Sequence, residues 1–282
     1  MAIGRAEGYF APSVGKDNEC DRGSAPERVS GLVREGVLKM ISVQSENRIS
    51  HSEEYDHQAL ESIRWKIRWM IKHIGFRLLA KYEGVGGLEN FPAEGPAIVM
   101  INHIALIDPA VVLGSLPRNV VPMAKIEVYR YPVFGYFAKL WQVIPVRRQE
   151  FDRQAVRQAL AVLKAGECIL VAPEGTRSPS LHQGKEGIAY LGLKSGAPII
   201  PAAVTGSKGF PTLNPLRWLR TGTSVKLGRA FRFKEGNERF DLEDLRLMTD
   251  EAMYVLAELL PEDLRGVYSD LSKATTETIE LV

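Results

Sequence analysis

In the stretch INHIALIDPAVV, residues 101–112, a histidine and an aspartate stand five positions apart within an otherwise apolar segment. Burying two ionisable side chains is costly unless they are paired or used. A carboxylate bonded to one imidazole nitrogen holds the other as an acceptor, which is the tautomer a general base requires. His103 and Asp108 therefore form a candidate proton-transfer pair. Spacing alone is a weak signal: with 5 histidines and 34 acidic residues among 282, chance supplies roughly 0.6 such pairs. The chain contains its own decoy in HSEEYD, where His51 and Asp56 share the spacing within a polar stretch. His103 differs in its setting. It follows the strand-like run AIVMIN, and ligands of open α/β sheets bind beyond the carboxyl ends of strands. Asp108-Pro109 then reads as the start of a helix, with Asp108 at its cap and Pro109 at its first position.

A second polar cluster, VAPEGTRSPS at residues 171–180, also follows a strand-like run. Gly175 permits close backbone approach to a ligand. Arg177 offers a planar charged fork suited to phosphate, and Thr176 and Ser178 add hydroxyls. Glu174 is placed either to orient the arginine or to accept from a substrate hydroxyl. Lys125 and Arg148 flank an aromatic stretch containing Tyr129, Tyr131, Phe134, Tyr136, Phe137 and Trp141. Both cations follow strand-like residues and are candidates for the same crevice. The rings read mostly as core, with the wall of an acyl-chain groove as the alternative.

These residues need elements to position them. From about Pro96, β-branched apolar runs recur at 97–102, 119–124, 142–146, 168–172, 198–204 and 224–228, separated by helical stretches such as DRQAVRQALAVLKAGE, which Gly166 closes. Continuous rather than alternating apolar strands imply a sheet covered on both faces, so the expected fold is α/β with a mixed, largely parallel sheet flanked by helices. FDLEDLRLMTDEAMYVLAELL predicts a C-terminal helix stopped by Pro261.

Upstream, residues 57–82 carry an aliphatic stripe of Leu60, Ile63, Ile67, Met70, Ile71, Ile74 and Leu78 at helical spacing, with Trp65, Trp69 and Phe76 nearly opposite. Arg64, Lys66, Arg68, Lys72, Arg77 and Lys81 lie between the two, and no acid occurs from 64 to 81. One reading is a core helix with a solvated basic face. The other docks the aliphatic stripe on the protein and lays the Trp and cation side on anionic lipid. Gly75 is expected to loosen the helix. The expected organisation is a flexible segment over 1–55, amphipathic membrane-docking helices over 56–84, and an α/β domain over 85–282 with its motifs between about 97 and 208. A short helix in RVSGLVREGVLKMISV is possible within the first segment.

Composition is that of an ordinary globular chain: 45% hydrophobic, 25% charged, net charge +2. So small a charge gives no support for nucleic acid as a partner. Cys20 and Cys168 lie in unlike contexts, which argues against a disulfide framework and for a reducing compartment. The first residues lack the apolar core of a secretory signal, and no run of about 18 apolar residues could span a membrane. There is no G-x-S-x-G elbow, no P-loop, no G-x-G-x-x-G after a strand and no metal-ligand spacing. A histidine base without a neighbouring serine or cysteine nucleophile suggests that the nucleophile belongs to the substrate.

Four ordered blocks over about residues 85–210 resemble the glycerolipid acyltransferase family, of the 1-acylglycerol-3-phosphate acyltransferase (lysophosphatidate acyltransferase) type. Asn102-His103 with Asp108 is similar to its Asn-His-x4-Asp block. Lys125, Glu127, Pro132, Gly135, Pro145 and Arg148 resemble the second block. Pro173-Glu174-Gly175-Thr176-Arg177-Ser178, followed by Lys185 and Gly187, resembles the third, and Ile200-Pro201 with Ala202, Ala203 and Val204 the fourth. Gln142 and Arg147 depart from the small and acidic residues common at those positions, which bears on the acceptor headgroup.

The resemblance implies a peripheral enzyme at the cytoplasmic face of the membrane, with no resident cofactor or metal. His103 would deprotonate the hydroxyl of a lysophospholipid acceptor as it attacks acyl-CoA or acyl-carrier protein. Backbone N–H groups near Gly175 are candidates for the oxyanion, and Arg177, Lys125 and Arg148 for the acceptor phosphate. The rival readings are another lysolipid acceptor, such as a lyso-aminolipid or lysoglycolipid, a His–Asp thioesterase, and a non-catalytic lipid-binding scaffold.

Overall fold

The apolar runs become strands because their β-branched side chains pack on both sides of a pleated surface. They are β2 (Ala97–Ile101), β3 (Val120–Lys125), β4 (Ile144–Val146), β5 (Cys168–Val171), β6 (Ile199–Thr205) and β7 (Thr223–Leu227). Three further strands escape the sequence pattern: β1 (Tyr82–Gly86), β8 (Phe231–Phe233) and β9 (Ile279–Leu281). The first is glycine-rich and the other two are three residues long, too short to display a period. The computed structural model describes residues 58–78, 80–147, 152–234 and 240–282, and residues 54–282 form one compact unit. The expected flexible segment and its short helix, the decoy His51–Asp56 and Arg148 all lie outside the described residues.

The sheet runs β1-β7-β6-β2-β5-β3-β4, with β8 against β6 and β9 against β8. Strands β2 to β6 are mutually parallel, β7 is antiparallel to β6, and β1 is parallel to β7. The fold is thus the expected mixed, mostly parallel sheet flanked by helices. Alternate strand residues enter two separate cores. Ile98, Met100, Ile169 and Ile199 pack with α4 (Arg153–Lys164), α5 (Gly187–Ser195) and α6 (Leu242–Glu258). Val99, Ile101, Leu170 and Ile200 pack on the opposite face with α1 (Gln58–Met70), α2 (Asp108–Ser115) and α3 (Pro132–Trp141). Caps set the helix ends. Asp152 accepts from the N–H groups of Gln154 and Ala155 at the start of α4, and Asp241 forms a capping box at the start of α6.

The upstream helix is built into the domain rather than laid upon it. Ile67 is buried as expected, but Arg64, expected on the exposed cationic face, is 0% exposed. Its Nε and Nη2 donate to the Trp141 carbonyl at 3.1 and 3.0 Å, and its Nη1 pairs with Glu167 at 2.9 Å. One turn on, Arg68 donates to the carbonyls of Leu113, Leu116 and Pro117. Each arginine therefore satisfies the orphan carbonyls at the carboxyl end of a different helix, α3 for Arg64 and α2 for Arg68, where the helix dipole favours a cation.

Phase changes after Met70. Residues Ile71–Gly75 wind as a π turn, and the extra residue rotates the remainder of the helix by about one position, roughly 100°. Phe76, expected beside the tryptophans, is buried and stacks on Tyr82 at 4.2 Å, whereas Ile74 and Leu78, expected on the buried stripe, are exposed. The outer face left to solvent carries Trp65, Lys66, Trp69, Lys72, Ile74, Arg77 and Leu78.

The aromatic stretch departs from expectation as well. Trp141 is buried and donates its indole N–H to the Val120 carbonyl at 2.9 Å, but Tyr131, Phe134 and Tyr136 are exposed. The first turns of α3 face outward because Gly135 and Ala138 form its tight inner side; a Cβ at Gly135 would meet the Tyr129 carbonyl at 2.4 Å.

Candidate active site

Parallel pairing brings two of the polar blocks to one edge. Met100 is level with Val171, so Asn102-His103 and Pro173-Glu174 emerge side by side from the carboxyl ends of β2 and β5. Asn102 is buried, and its amide extends the β2–β6 ladder by one side-chain link. Its Nδ2 donates to the Val204 carbonyl at 2.9 Å, and its Oδ1 accepts from the Val204 N–H at 2.7 Å. That link fixes where the chain turns, and so where His103 begins.

His103 Nδ1 lies 3.0 Å from Asp108 Oδ2. The same oxygen accepts from the backbone N–H groups of Ile104 at 2.6 Å and Ala105 at 2.7 Å. Helix α2 starts at Asp108 itself, one residue earlier than expected, and the side chain folds back over the preceding turn instead of capping forward. Asp108 is 0% exposed and the His103 side chain 16%, so the carboxylate is locked while the imidazole reaches solvent. With Nδ1–H donating to Asp108, Nε2 carries the lone pair. Among the described residues, no serine, threonine or cysteine side chain is hydrogen-bonded to His103.

The EGTRS turn is tied to the histidine through the backbone. The Ser178 N–H donates to the His103 carbonyl at 2.8 Å, and the Lys185 N–H to the Pro173 carbonyl at 3.0 Å. Gly175 adopts φ +65°, and the Lys185 side chain passes over it; a Cβ there would meet Lys185 Cε and Nζ at 3.4 Å. Thr176 and Arg177 project to solvent. Glu174 does not reach out to Arg177. It is 5% exposed and turned inward, accepting from the His182 N–H at 3.1 Å. Burial pushes its carboxyl up to about 7, with the His182 and His103 backbone N–H groups drawing it down and the Asp108 charge pushing it up. It braces the loop beneath His103 and is not free to pair with Arg177.

Lys125 ends β3, which lies beyond β5, so it stands two strand spacings, roughly 10 Å, from the line of β2. It is exposed and pairs with Glu127 at 3.2 Å. The Ser178 hydroxyl, read from the sequence as a ligand contact, is buried without a hydrogen-bond partner, and so is that of Ser207, which sequence reasoning missed. Ser207 follows β6 by two residues at the same edge, and its place after a strand is the signal by which it could have been found. Among the described residues, no group of three or more His, Cys, Asp or Glu side chains could hold a metal ion.

Residues 84–205 match the family model described as Acyltransferase. A 1-acyl-sn-glycerol-3-phosphate acyltransferase of Cocos nucifera is 31% identical over 140 residues, covering 46% of this chain and 44% of that protein. One from Bacillus subtilis (strain 168) is 29% identical over 119 residues, covering 42% and 60%. The chain thus spans about half the length of the curated relatives it matches. The crystal structure of PlsC, a 1-acyl-sn-glycerophosphate (LPA) acyltransferase from Thermotoga maritima, superposes with a TM-score of 0.52 at 21% identity over 87% of this chain and 91% of that one. That likeness is one of fold.

Proposed function

We propose that this chain, whose residues 84–205 match the Acyltransferase family, transfers a fatty acyl group from an acyl thioester to the free hydroxyl of 1-acylglycerol-3-phosphate, making phosphatidic acid. The observation that carries the reading is the His103–Asp108 pair at 3.0 Å, set at the carboxyl edge beside the EGTRS turn. His103 Nε2 takes the acceptor's hydroxyl proton while that oxygen bonds to the thioester carbonyl carbon. The tetrahedral oxyanion collapses, the C–S bond breaks, and the imidazolium returns the proton to the leaving thiolate. Asp108 holds the ring in register and stabilises its charged form, as the third member of a catalytic triad does. Thr176 and Arg177 project where an acceptor phosphate can meet them, with Lys125 and Arg148 as further cations. The donor is acyl-CoA or acyl-carrier protein, and no resident cofactor or metal takes part.

The site works at a bilayer, as its substrates require, and the outer face of α1 meets the lipid at the cytoplasmic side. The exposed side of residues 65–78, α1 and the turns that follow it, carries Lys66, Lys72 and Arg77 with Trp65, Trp69, Ile74 and Leu78, whereas Arg64 and Arg68 are committed to helix ends. Among the described residues, no helix is long and apolar enough to cross a membrane.

The direct test is a panel of acceptors and donors with purified full chain. His103→Ala is expected to lower acyl transfer by about 100- to 10,000-fold while leaving the melting temperature in place. Undiminished transfer removes His103 as the base. Fatty acid released equally with and without acceptor replaces the transferase reading with a thioesterase.

A further inference from the structure

The connection from β6 to β7, residues 206–222, leaves the sheet at the edge that bears His103. It starts two residues beyond Val204, whose backbone Asn102 holds. The seventeen residues GSKGFPTLNPLRWLRTG contain three cations and no acid. Arg217 is spent internally: it donates to the carbonyls of Gly206, Lys208 and Thr221 and lies 4.0 Å above the Phe210 ring. Trp218 closes the loop from the other side, donating to the Thr212 carbonyl at 3.2 Å and meeting Phe210 edge-on. On this stapled frame, Leu213, Leu216 and Leu219 are 82%, 69% and 82% exposed. Lys208 and Arg220 are exposed beside them.

A single exposed leucine is ordinary, but three on a braced loop of one charge sign form a surface with a purpose. We propose that this loop is a second membrane-insertion element. Leu213, Leu216 and Leu219 enter the headgroup–acyl boundary of an anionic bilayer while Lys208 and Arg220 lie against lipid phosphates. The proposal rests on the reading that the site works at a bilayer, and adds an anchor on the site's own edge.

The loop adjoins the end of the first helical segment. Lys81 Nζ donates to the Arg220 carbonyl at 3.0 Å, and the Thr223 N–H donates to the Lys81 carbonyl at 2.6 Å. Exposed Leu78 lies three residues before Lys81. The nearby acid Glu83 is engaged by the Gly222 N–H and Lys81, so it does not oppose an anionic surface. A second copy of the chain is a poorer partner, because a two-fold contact sets this cationic loop against itself.

The experiment compares sedimentation of the full chain with vesicles of 30% phosphatidylglycerol in phosphatidylcholine, with pure phosphatidylcholine vesicles as control. The triple variant Leu213→Ser, Leu216→Ser, Leu219→Ser is expected to lower partition onto the anionic vesicles by roughly ten-fold or more. Its melting temperature stays unchanged, since these side chains touch little, and the matching triple replacement by Phe restores binding. A parallel variant, Lys66→Gln, Lys72→Gln, Arg77→Gln, reports on α1 and the turns that follow it. Loss of binding in the α1 variant with none in the serine variant overturns the loop proposal and leaves the bilayer reading standing. No loss in either overturns both. A change of oligomeric state in the serine variant, with vesicle binding intact, assigns the surface to self-association and also overturns it.

Discussion

An exposed glutamate titrates near the ordinary carboxylate value, and Glu174 sits in a turn whose sequence gives no reason to expect otherwise. Its neighbours in space supply the reason. Desolvation outweighs the N–H groups of His182 and His103, and the Asp108 charge works against ionisation, so the carboxyl is held at about 7 rather than 4.5. Between those values the native state holds a proton that the unfolded chain has released. Stability therefore falls as pH rises across this window: the contribution is fully present below about 4.5 and lost above about 7. A shift of that size corresponds to roughly 3 kcal/mol. Glu174→Gln, which mimics the protonated form, is expected to remove the slope. Urea unfolding at pH 5 and pH 8 measures it, and parallel losses in wild type and variant would show that Glu174 is not its source. His103 and Asp108 are the contrasting case. Five positions apart, they were legible from residue type and setting, because the turn that joins them is local.

At the scale of elements, the end of α3 shows a local rule broken. Gln142 adopts φ 55°, ψ 56°, the left-handed conformation in which a helix commonly ends on glycine, and it is the one non-glycine residue with positive φ among those described. Its side chain is exposed, so nothing is lost by removing it. Gln142→Gly is expected to raise stability by about 1 kcal/mol, read as a higher urea midpoint with no change in acyl transfer. A lower midpoint would mean that the side chain contributes something the geometry does not reveal. The π turn at Ile71–Gly75 belongs to the same scale. Gly75 marked a weak point in the helix, but not the one-residue phase shift that exchanges Phe76 with Ile74 and Leu78 where the segment packs on α2. Gly114 leaves room for this contact; a Cβ there would meet Phe76 Cζ at 2.6 Å and Ile71 Cγ2 at 2.9 Å.

For the whole molecule, Arg64 is the residue through which the upstream helix becomes part of the domain. It joins α1 to the last carbonyl of α3, 77 residues on, and to Glu167, 103 residues on, ahead of β5. Removing one partner of a buried ion pair strands the other, so Arg64→Gln is expected to cost roughly 3–5 kcal/mol. Lys66→Gln, two positions away on the outer face, is expected to change stability by no more than about 0.5 kcal/mol. Chemical unfolding of both separates a buried clamp from a solvated cation, and equal effects would refute the distinction. By itself the sequence determined the alternation of strands and helices, the double-sided burial of the sheet, and the paired polar blocks at strand ends. Each of these is written in near-neighbour periodicity, caps and turns, which the chain expresses within a dozen residues. Only the tertiary structure decided that Arg64 and Arg68 cap distant helices, that Glu174 turns inward, that Tyr131, Phe134 and Tyr136 face out, and that three leucines stand exposed beside the site. Those outcomes depend on which carbonyl, carboxyl or apolar face lies opposite across the fold, and charge and hydropathy along the chain do not carry that information.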